Sequence, residues 1–240
     1  MRILVTGGVG FVGTNLCKKL VEDKHDVWCF DNYSTGFKSN EIDGVEYHNI
    51  DIRDGFKNFI QKFDVIFHMA ALARIQPSIK SPSKTIKNNF DGTLNVLEYA
   101  RKTNTQVIYA GSSSKHHGLY GSPYAWSKYG GEELCKLYSE VYELNTTICR
   151  FYNVYGPNHI RTGTYATVIG IFENQYLKGE PLTIVGDGKQ RRDFTHIDDI
   201  VDGLIRCVGK NHKGKTFELG TGKNYSINEV SEMFRAMGHN

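Results

Sequence analysis

The sequence carries no strong charge of one sign. Its 240 residues include 29 lysines and arginines and 26 aspartates and glutamates, interspersed along the chain, for a formal net charge of +3. So small an excess argues against nucleic acid or an anionic membrane as the main partner. Hydrophobic residues make up 40% and charged residues 23% of the chain, which excludes a mainly disordered protein.

Cysteine pairs and long apolar runs are missing as well. The five cysteines are an odd number, lie far apart and form no CxxC pair, so we expect free thiols and neither a disulfide framework nor a metal site. No apolar run approaches the length of a membrane span. The N-terminus, MRILVTGG, lacks the features of a signal peptide. We therefore expect a cytoplasmic protein with no membrane partner.

Short apolar runs alternate with helical patterns, which predicts an α/β fold. Strands are predicted at residues 2–6, 26–30, 45–49, 63–69, 106–110 and 146–151. Helices are predicted at residues 11–22, 82–102 and 124–144. Strands that alternate with helices form right-handed βαβ units, so we expect a doubly wound parallel sheet that is covered on both faces.

A glycine-rich turn, TGGVGFVG, follows the first predicted strand and opens the first predicted helix. Gly7, Gly10 and Gly13 permit a tight turn, close approach of a pyrophosphate and close packing of helix on strand, as in Rossmann folds. Asp31 ends the second strand at the spacing of a ribose-binding acid, and its charge favours NAD over NADP. The alternative is an ordinary glycine turn followed by an unrelated acid.

Loops become frequent after the first half of the chain. Further elements are predicted as helices at residues 165–178 and 198–208 and as strands at 182–185 and 216–219. We expect a Rossmann-type dinucleotide-binding domain of residues 1–152, to which residues 193–219 return. Residues 153–192 and 220–240 are expected to form a small substrate lobe.

Tyr124 and Lys128 lie four residues apart at the start of a predicted helix, and hence on one face of it. A tyrosine ordinarily ionises near pH ~10, and an adjacent ammonium favours the phenolate that accepts a proton near neutral pH. The preceding strand ends in AGSSSK, which puts Ser112, Ser113 and Ser114 at the carboxyl edge of the sheet, where open α/β sheets bind ligands. The alternative is an exposed helix face without chemistry.

A series of motifs runs through nearly the whole chain: TGGVGFVG, FDNYSTG, HMAALA, NNFDGTLNVLEYA, SPYAWSK, RFYNVYGP, GDGKQRRDFTHIDD and FELGTGKNYSINEV. In this order they resemble the NAD-dependent epimerase/dehydratase family, the extended short-chain dehydrogenases that act on nucleotide sugars. The resemblance implies catalysis by Ser112, Tyr124 and Lys128. It implies NAD contacts from Gly7, Gly10, Phe11, Val12, Gly13, Asp31, Asn32, Asp51, Ile52, Ala70, Asn89 and Lys128. It implies substrate contacts from Ser113, Asn153 and Arg192, the last two at the diphosphate.

The residues after the catalytic serine bear on the reaction that the resemblance implies. Members that dehydrate or decarboxylate generally carry an acid just after the catalytic Ser/Thr, whereas this chain has Ser113 and Ser114. We therefore expect a 4-epimerase that acts on a UDP-hexose through a transient 4-keto sugar. The alternatives are a 4,6-dehydratase or another family reaction, and a non-catalytic NAD-binding protein with an incomplete sugar pocket.

Two departures from typical members concern the substrate lobe. The segment between Ser112 and Tyr124 is shorter and contains the adjacent His116 and His117, for which we expect a solvated loop. Typical members continue for several elements beyond the position of Asn240. We therefore expect either a truncated substrate lobe with an open pocket or a fragment of a longer chain.

Members of this family commonly dimerise through two long helices, which correspond here to residues 82–102 and 124–144. A homodimer is therefore expected. The candidate apolar contacts are Leu134, Leu137, Tyr138, Val141 and Tyr142. The alternative for each is simple packing on the sheet.

Overall fold

A parallel sheet of seven strands lies at the centre of the molecule, of which the computed structural model describes residues 1–56 and 59–238. The described residues form nine strands, seven of them in this sheet: β1 (Arg2–Thr6), β2 (Asp26–Asp31), β3 (Val45–Asn49), β4 (Val65–His68), β5 (Gln106–Ser112), β6 (Thr146–Phe151), β7 (Arg191–Asp193), β8 (Thr216–Leu219) and β9 (Asn224–Ser226). The parallel sheet has the order β3-β2-β1-β4-β5-β6-β8, and β7 pairs with β9 in a separate antiparallel ribbon. The order reverses between β1 and β4, which is where such sheets bind ligands.

Helices cover both faces of this sheet. They are α1 (Phe11–Glu22), α2 (Ile75–Lys80), α3 (Pro82–Ile86), α4 (Gly92–Thr103), α5 (Pro123–Tyr142), α6 (Val168–Lys178), α7 (Ile197–Ile205) and α8 (Ile227–Ala236). Among the described residues, no helix is both long and apolar enough to cross a lipid bilayer.

The central strands are apolar on both faces because each face packs on helices. In β1, Ile3 belongs to a buried cluster with Leu16 of α1 and Ile200 of α7. Leu4, the next residue, belongs to a cluster on the opposite face with Leu97 of α4. The predicted Rossmann-type, doubly wound α/β fold is therefore confirmed.

A third and smaller apolar cluster lies away from the sheet. Phe172 of α6 packs there with Ile227 and Val230 of α8. The cluster thus joins the two separate stretches that were expected to form the substrate lobe. The exact division of the chain into domains stays a prediction.

Three features of the fold differ from the sequence expectations. Residues 182–185 form no strand. Leu182 and Ile184 pack on the third cluster, as the alternating pattern suggests, but the backbone N–H of Thr183 donates to the side chain of Gln175 (Oε1) at 3.1 Å and not to a neighbouring strand. The helix expected at 82–102 is interrupted between α3 and α4 by a π-helical turn. The short elements α2, β7 and β9 were not predicted, because three to six residues are too few for a periodic pattern.

All five cysteines are free, as predicted, and the structure shows that all five are buried. Burial raises the pKa of Cys17 to about 12. Cys17 and Cys29 lie beneath the turn that joins β1 to α1, since a Cβ added at Gly8 would meet both sulfur atoms.

Candidate active site

The glycine turn between β1 and α1 is too closely packed for side chains. Gly7 has a φ of +75°, and a Cβ added there would lie 2.7 Å from backbone atoms of Ala70. A Cβ added at Gly13 would collide with the carbonyl oxygen of Gly7. Gly10 is the N-cap residue of α1, and no side chain of the described residues caps this helix start. Its first backbone N–H groups are therefore available to a phosphate.

A groove with about 500 Å³ of open space runs along this turn. Its lining includes six of the predicted cofactor contacts: Gly7, Gly10, Asp31, Asn32, Ile52 and Ala70. The sequence analysis missed the other lining residues: Phe30, Ser34, Thr35, Gly36, Ile50, Met69, Ala71, Leu72 and Asn88. The segment YSTG, two residues after Asp31, is the signal that could have pointed to residues 34–36, because it is rich in turn-forming residues.

Two backbone N–H groups hold the carboxylate of Asp31 at the edge of the groove. Val9 donates to Oδ2 at 3.2 Å, and Tyr33 donates to Oδ1 at 2.8 Å. Burial raises the pKa of Asp31, and these two hydrogen bonds act in the opposite direction. Each oxygen keeps a second lone pair, so the carboxylate can still accept a hydrogen bond from a ribose hydroxyl.

Other predicted cofactor contacts do not line the groove: Phe11, Val12, Gly13, Asp51, Asn89 and Lys128. Two of them support its wall from behind. The Asn89 side chain accepts from the Leu72 N–H at 2.8 Å and donates to the Leu72 carbonyl at 3.1 Å. Asp51 accepts from Asn32 Nδ2 at 2.9 Å. These side chains fix the wall, and a direct contact with the cofactor stays a prediction.

The three predicted catalytic residues lie together where β5 ends and α5 begins. Ser122 caps α5 and Pro123 opens it, which places Tyr124 in the first turn. The phenol of Tyr124 donates to Ser112 Oγ at 3.4 Å. Lys128 lies one turn further along the same face. The catalytic role of these residues stays a prediction.

Lys128 is buried without a carboxylate partner among the described residues. It is 4% exposed, and its Nζ lies 4.2 Å from the centre of the Tyr109 ring. Burial lowers the pKa of Lys128 to about 8, although the charge of Glu132 opposes the shift. Burial of the neighbouring His68 likewise lowers the pKa of its imidazole to about 3, so this ring is neutral.

A buried ion pair that the sequence analysis missed lies directly behind Ser112. Glu132 Oε2 lies 2.6 Å from Nη2 of Arg150, and the two side chains are 1% and 7% exposed. The Ser112 N–H donates to Glu132 Oε1 at 3.4 Å. Arg150 also contacts Glu218 Oε1 at 2.6 Å. These four residues link α5 to the ends of β5, β6 and β8. The sequence signal that could have pointed to Glu132 is its position one helical turn after Lys128.

Asn153 and Arg192 line a second cavity, which lies beyond the ends of β6 and β8 and holds about 860 Å³ of open space. Asn153 Nδ2 donates to the carbonyl of Asp193 at 2.9 Å. Arg192 donates to the carbonyl of Arg191 at 2.8 Å and has no carboxylate partner among the described residues. Ser113, the third predicted substrate contact, is buried and does not line this cavity.

His116 contacts residues of this second cavity. Its Nε2 lies 3.4 Å from Glu218 Oε1, and its ring stacks on Tyr152 at 6.4 Å between centres. The side chain is 44% exposed, so the expected solvated loop is correct only in part. The side chain of His117 lies outside the described residues.

Comparison with known proteins decides the family. A family model described as the NAD dependent epimerase/dehydratase family matches residues 3–220. The chain belongs to this family. The match confirms the predicted family and, with the relatives below, supports nucleotide-sugar chemistry for the epimerase/dehydratase family as a whole.

Relatives within the family differ in their reactions. A UDP-N-acetyl-alpha-D-glucosaminuronate decarboxylase of Bacillus cytotoxicus is 34% identical over 99% of this chain and 80% of its own length. A UDP-glucose 4-epimerase of Mycolicibacterium smegmatis is 32% identical over 96% of this chain and 80% of its own. The crystal structure of a UDP-glucose 4-epimerase of Thermotoga maritima with UDP-glucose superimposes with a TM-score of 0.94, at 29% identity, over 100% of this chain and 84% of its own.

NAD is the cofactor of this epimerase/dehydratase chain, as predicted. The groove along the glycine turn fits it. The start of α1 is free to bind a pyrophosphate. Asp31 at the groove edge can accept from a ribose hydroxyl, and its charge would repel the additional phosphate of NADP.

Proposed function

We propose that the chain is an NAD-dependent nucleotide-sugar 4-epimerase, which acts on a UDP-hexose through a transient 4-keto sugar. The observation that carries the proposal is the contact of 3.4 Å between the Tyr124 phenol and Ser112 Oγ, next to the buried Lys128. A tyrosine, a serine and a lysine in this arrangement suffice to remove a proton from a sugar hydroxyl and to return it.

The carboxylates near Ser112 support epimerisation over dehydration or decarboxylation, which need a further acid or base. Within the described ranges, two carboxylates are linked by hydrogen bonds to the end of β5: Glu132 directly, through the Ser112 N–H, and Glu218 through Arg150. Both are paired with Arg150, and Glu132 is almost completely buried. The next two residues after Ser112 are serines, and Ser112 Oγ donates to Ser114 Oγ at 3.0 Å.

Each residue of the site has a distinct task in this proposal. Bound NAD supplies the hydride acceptor, which becomes the hydride donor in the return step. The phenolate of Tyr124 accepts the proton of the sugar 4-hydroxyl, and Ser112 holds the same oxygen by a hydrogen bond. The ammonium of Lys128 stabilises the phenolate. Asn153 and Arg192 hold the diphosphate in the second cavity while the sugar turns over.

We expect kcat/KM to fall as the pH rises through about 8, the pKa of Lys128 in the free enzyme. Below this pH, Lys128 carries the positive charge that stabilises the phenolate of Tyr124, and above it the charge is lost. A profile of kcat/KM from pH 6 to 10 measures the effect. A Lys136→Met variant, which alters an exposed lysine of the same helix, should give the same profile. A flat profile up to pH 10 would contradict this role of Lys128.

Product analysis tests the function. The purified protein with added NAD is incubated with UDP-glucose, UDP-N-acetylglucosamine, UDP-glucuronate and a GDP-hexose, and the products are identified by NMR. We expect the 4-epimer of a UDP-sugar. A 4-keto-6-deoxy or a decarboxylated product would replace the epimerase proposal by another reaction of the family. No conversion despite bound NAD would support a non-catalytic NAD-binding protein.

The proposal includes a homodimer. Leu137, Val141 and Tyr142 lie along α5 and are each at least half exposed, whereas Tyr138 and Leu134 of the same helix pack in the sheet cluster. An apolar stripe left exposed on a helix favours a second copy of the chain as its partner. Analytical ultracentrifugation measures the state directly.

A further inference from the structure

Arg74 lies two residues after Leu72, which lines the groove, and takes no part in the mechanism above. It follows the loop that leaves β4 and immediately precedes α2. Its backbone has a φ of +103° and a ψ of 138°, a conformation that costs a residue with a side chain free energy. Strain of this kind persists where the surroundings impose it, and it is concentrated at functional sites.

The surroundings of Arg74 hold its side chain in a defined place. Asn89 holds both backbone groups of Leu72, two residues earlier, so the loop cannot relax easily. The Arg74 Nε donates to the carbonyl of Tyr165 at 2.9 Å. That bond uses one edge of the guanidinium and leaves the two terminal nitrogens for another partner.

In the part of the chain that the structure describes, no carboxylate pairs with the charge of Arg74. Among the described residues, every arginine forms an ion pair with a carboxylate except Arg74 and Arg192. Arg192 lines the second cavity, where the proposed function gives it a diphosphate. Burial lowers the pKa of the Arg74 guanidinium, and the charge of an ionised Tyr124 would act in the opposite direction. A cation that is partly withdrawn from water and has no internal partner is costly unless a ligand supplies the anion.

We propose that Arg74 binds a carboxylate of the substrate, and that the substrate is therefore a nucleotide-linked hexuronate. The inference rests on the proposed function, which puts the sugar 4-hydroxyl at Tyr124. In a hexuronate the carboxylate is on the ring carbon next to the one that bears this hydroxyl. Arg74 immediately precedes α2, which packs on α5, the helix that carries Tyr124. The planar guanidinium suits a carboxylate, with which it forms two parallel hydrogen bonds.

Binding of two UDP-sugars that differ only at this group tests the inference. UDP-glucuronate and UDP-glucose are titrated by calorimetry into the NAD-loaded Tyr124→Phe variant, in which no turnover disturbs the measurement. We expect UDP-glucuronate to bind about 10- to 100-fold more tightly, the effect of one charge-assisted hydrogen-bonded pair. Adding Arg74→Gln should abolish this preference and change the affinity for UDP-glucose less than about twofold.

Two further variants separate recognition from a structural role. Lys80→Gln removes an exposed positive charge from α2 and should leave the preference intact. Arg74→Gly relieves the positive φ, so its melting temperature should be at least that of the parent while the preference for UDP-glucuronate is lost.

The possible failures differ from one another. Equal affinities for the two sugars in the parent would overturn the inference and leave the epimerase proposal standing. An equal loss for both sugars in Arg74→Gln, or a loss of NAD affinity, would overturn it too, because Arg74 would then serve the site in general. Binding of neither UDP-sugar would overturn the proposed function and this inference with it.

Discussion

Replacing Tyr124 by phenylalanine should lower kcat for the epimerised nucleotide sugar by about 10²- to 10⁴-fold, the range that one positioned acid–base group contributes. The change removes a single oxygen atom, which lies 3.4 Å from Ser112 Oγ. The ring and the start of α5 are kept, because Ser122 and Pro123 set the helix start independently of the phenol. The measurement is kcat and KM under saturating NAD, together with the affinity for NAD.

A matched tyrosine provides the control for this substitution. Tyr120 lies in the neighbouring loop and is 88% exposed, so Tyr120→Phe should leave kcat unchanged. We expect Tyr124→Phe to keep its affinity for NAD, since the phenol is required for proton transfer and the groove is formed elsewhere. Activity above about a tenth of the parent in Tyr124→Phe would rule out this tyrosine as the proton acceptor.

Glu132→Gln is expected to lower the free energy of unfolding by about 3–5 kcal/mol, as removal of one partner from a buried ion pair does. Arg150 would keep its charge while it loses the carboxylate on its buried side. Glu218 still pairs with Arg150 but is itself 42% exposed, so it replaces the lost partner only in part. Urea denaturation, followed by circular dichroism, measures the change.

The next residue of the helix supplies the control. Glu133 pairs with Lys136 at 2.7 Å, with both side chains more than 40% exposed. Glu133→Gln makes the same chemical change one position away and should cost only about 0–1 kcal/mol, the value of exposed ion pairs. Similar losses in the two variants would mean that the burial of Glu132 does not determine its contribution. Since Glu132 accepts from the Ser112 N–H, its variant should also lose activity.

The parts of the site that were predictable from the sequence are those encoded in short segments. The glycine-rich segment directly after the first strand contains Gly7, Gly10 and Gly13. The spacing of Tyr124 and Lys128 defines one face of a helix. Each such pattern has a local physical cause, so it can be recognised without knowing the fold.

The parts that were not predictable join segments far apart in the chain. Arg74 and Tyr165 are 91 residues apart, and Arg150 and Glu218 are 68 residues apart. No local pattern encodes such a contact. The false strand at residues 182–185 has the same origin, because its alternating pattern is real but a strand also needs a neighbour with which to pair.

The buried thiols beneath the glycine turn provide a built-in reporter. Cys17 and Cys29 are fully buried, and the raised pKa of Cys17 leaves almost no reactive thiolate in the folded chain. An alkylating reagent can therefore modify them only when the turn opens, and the rate of labelling measures how often it does. Dinucleotide bound across the turn would slow the labelling, so cofactor occupancy can be followed by mass spectrometry without a catalytic assay.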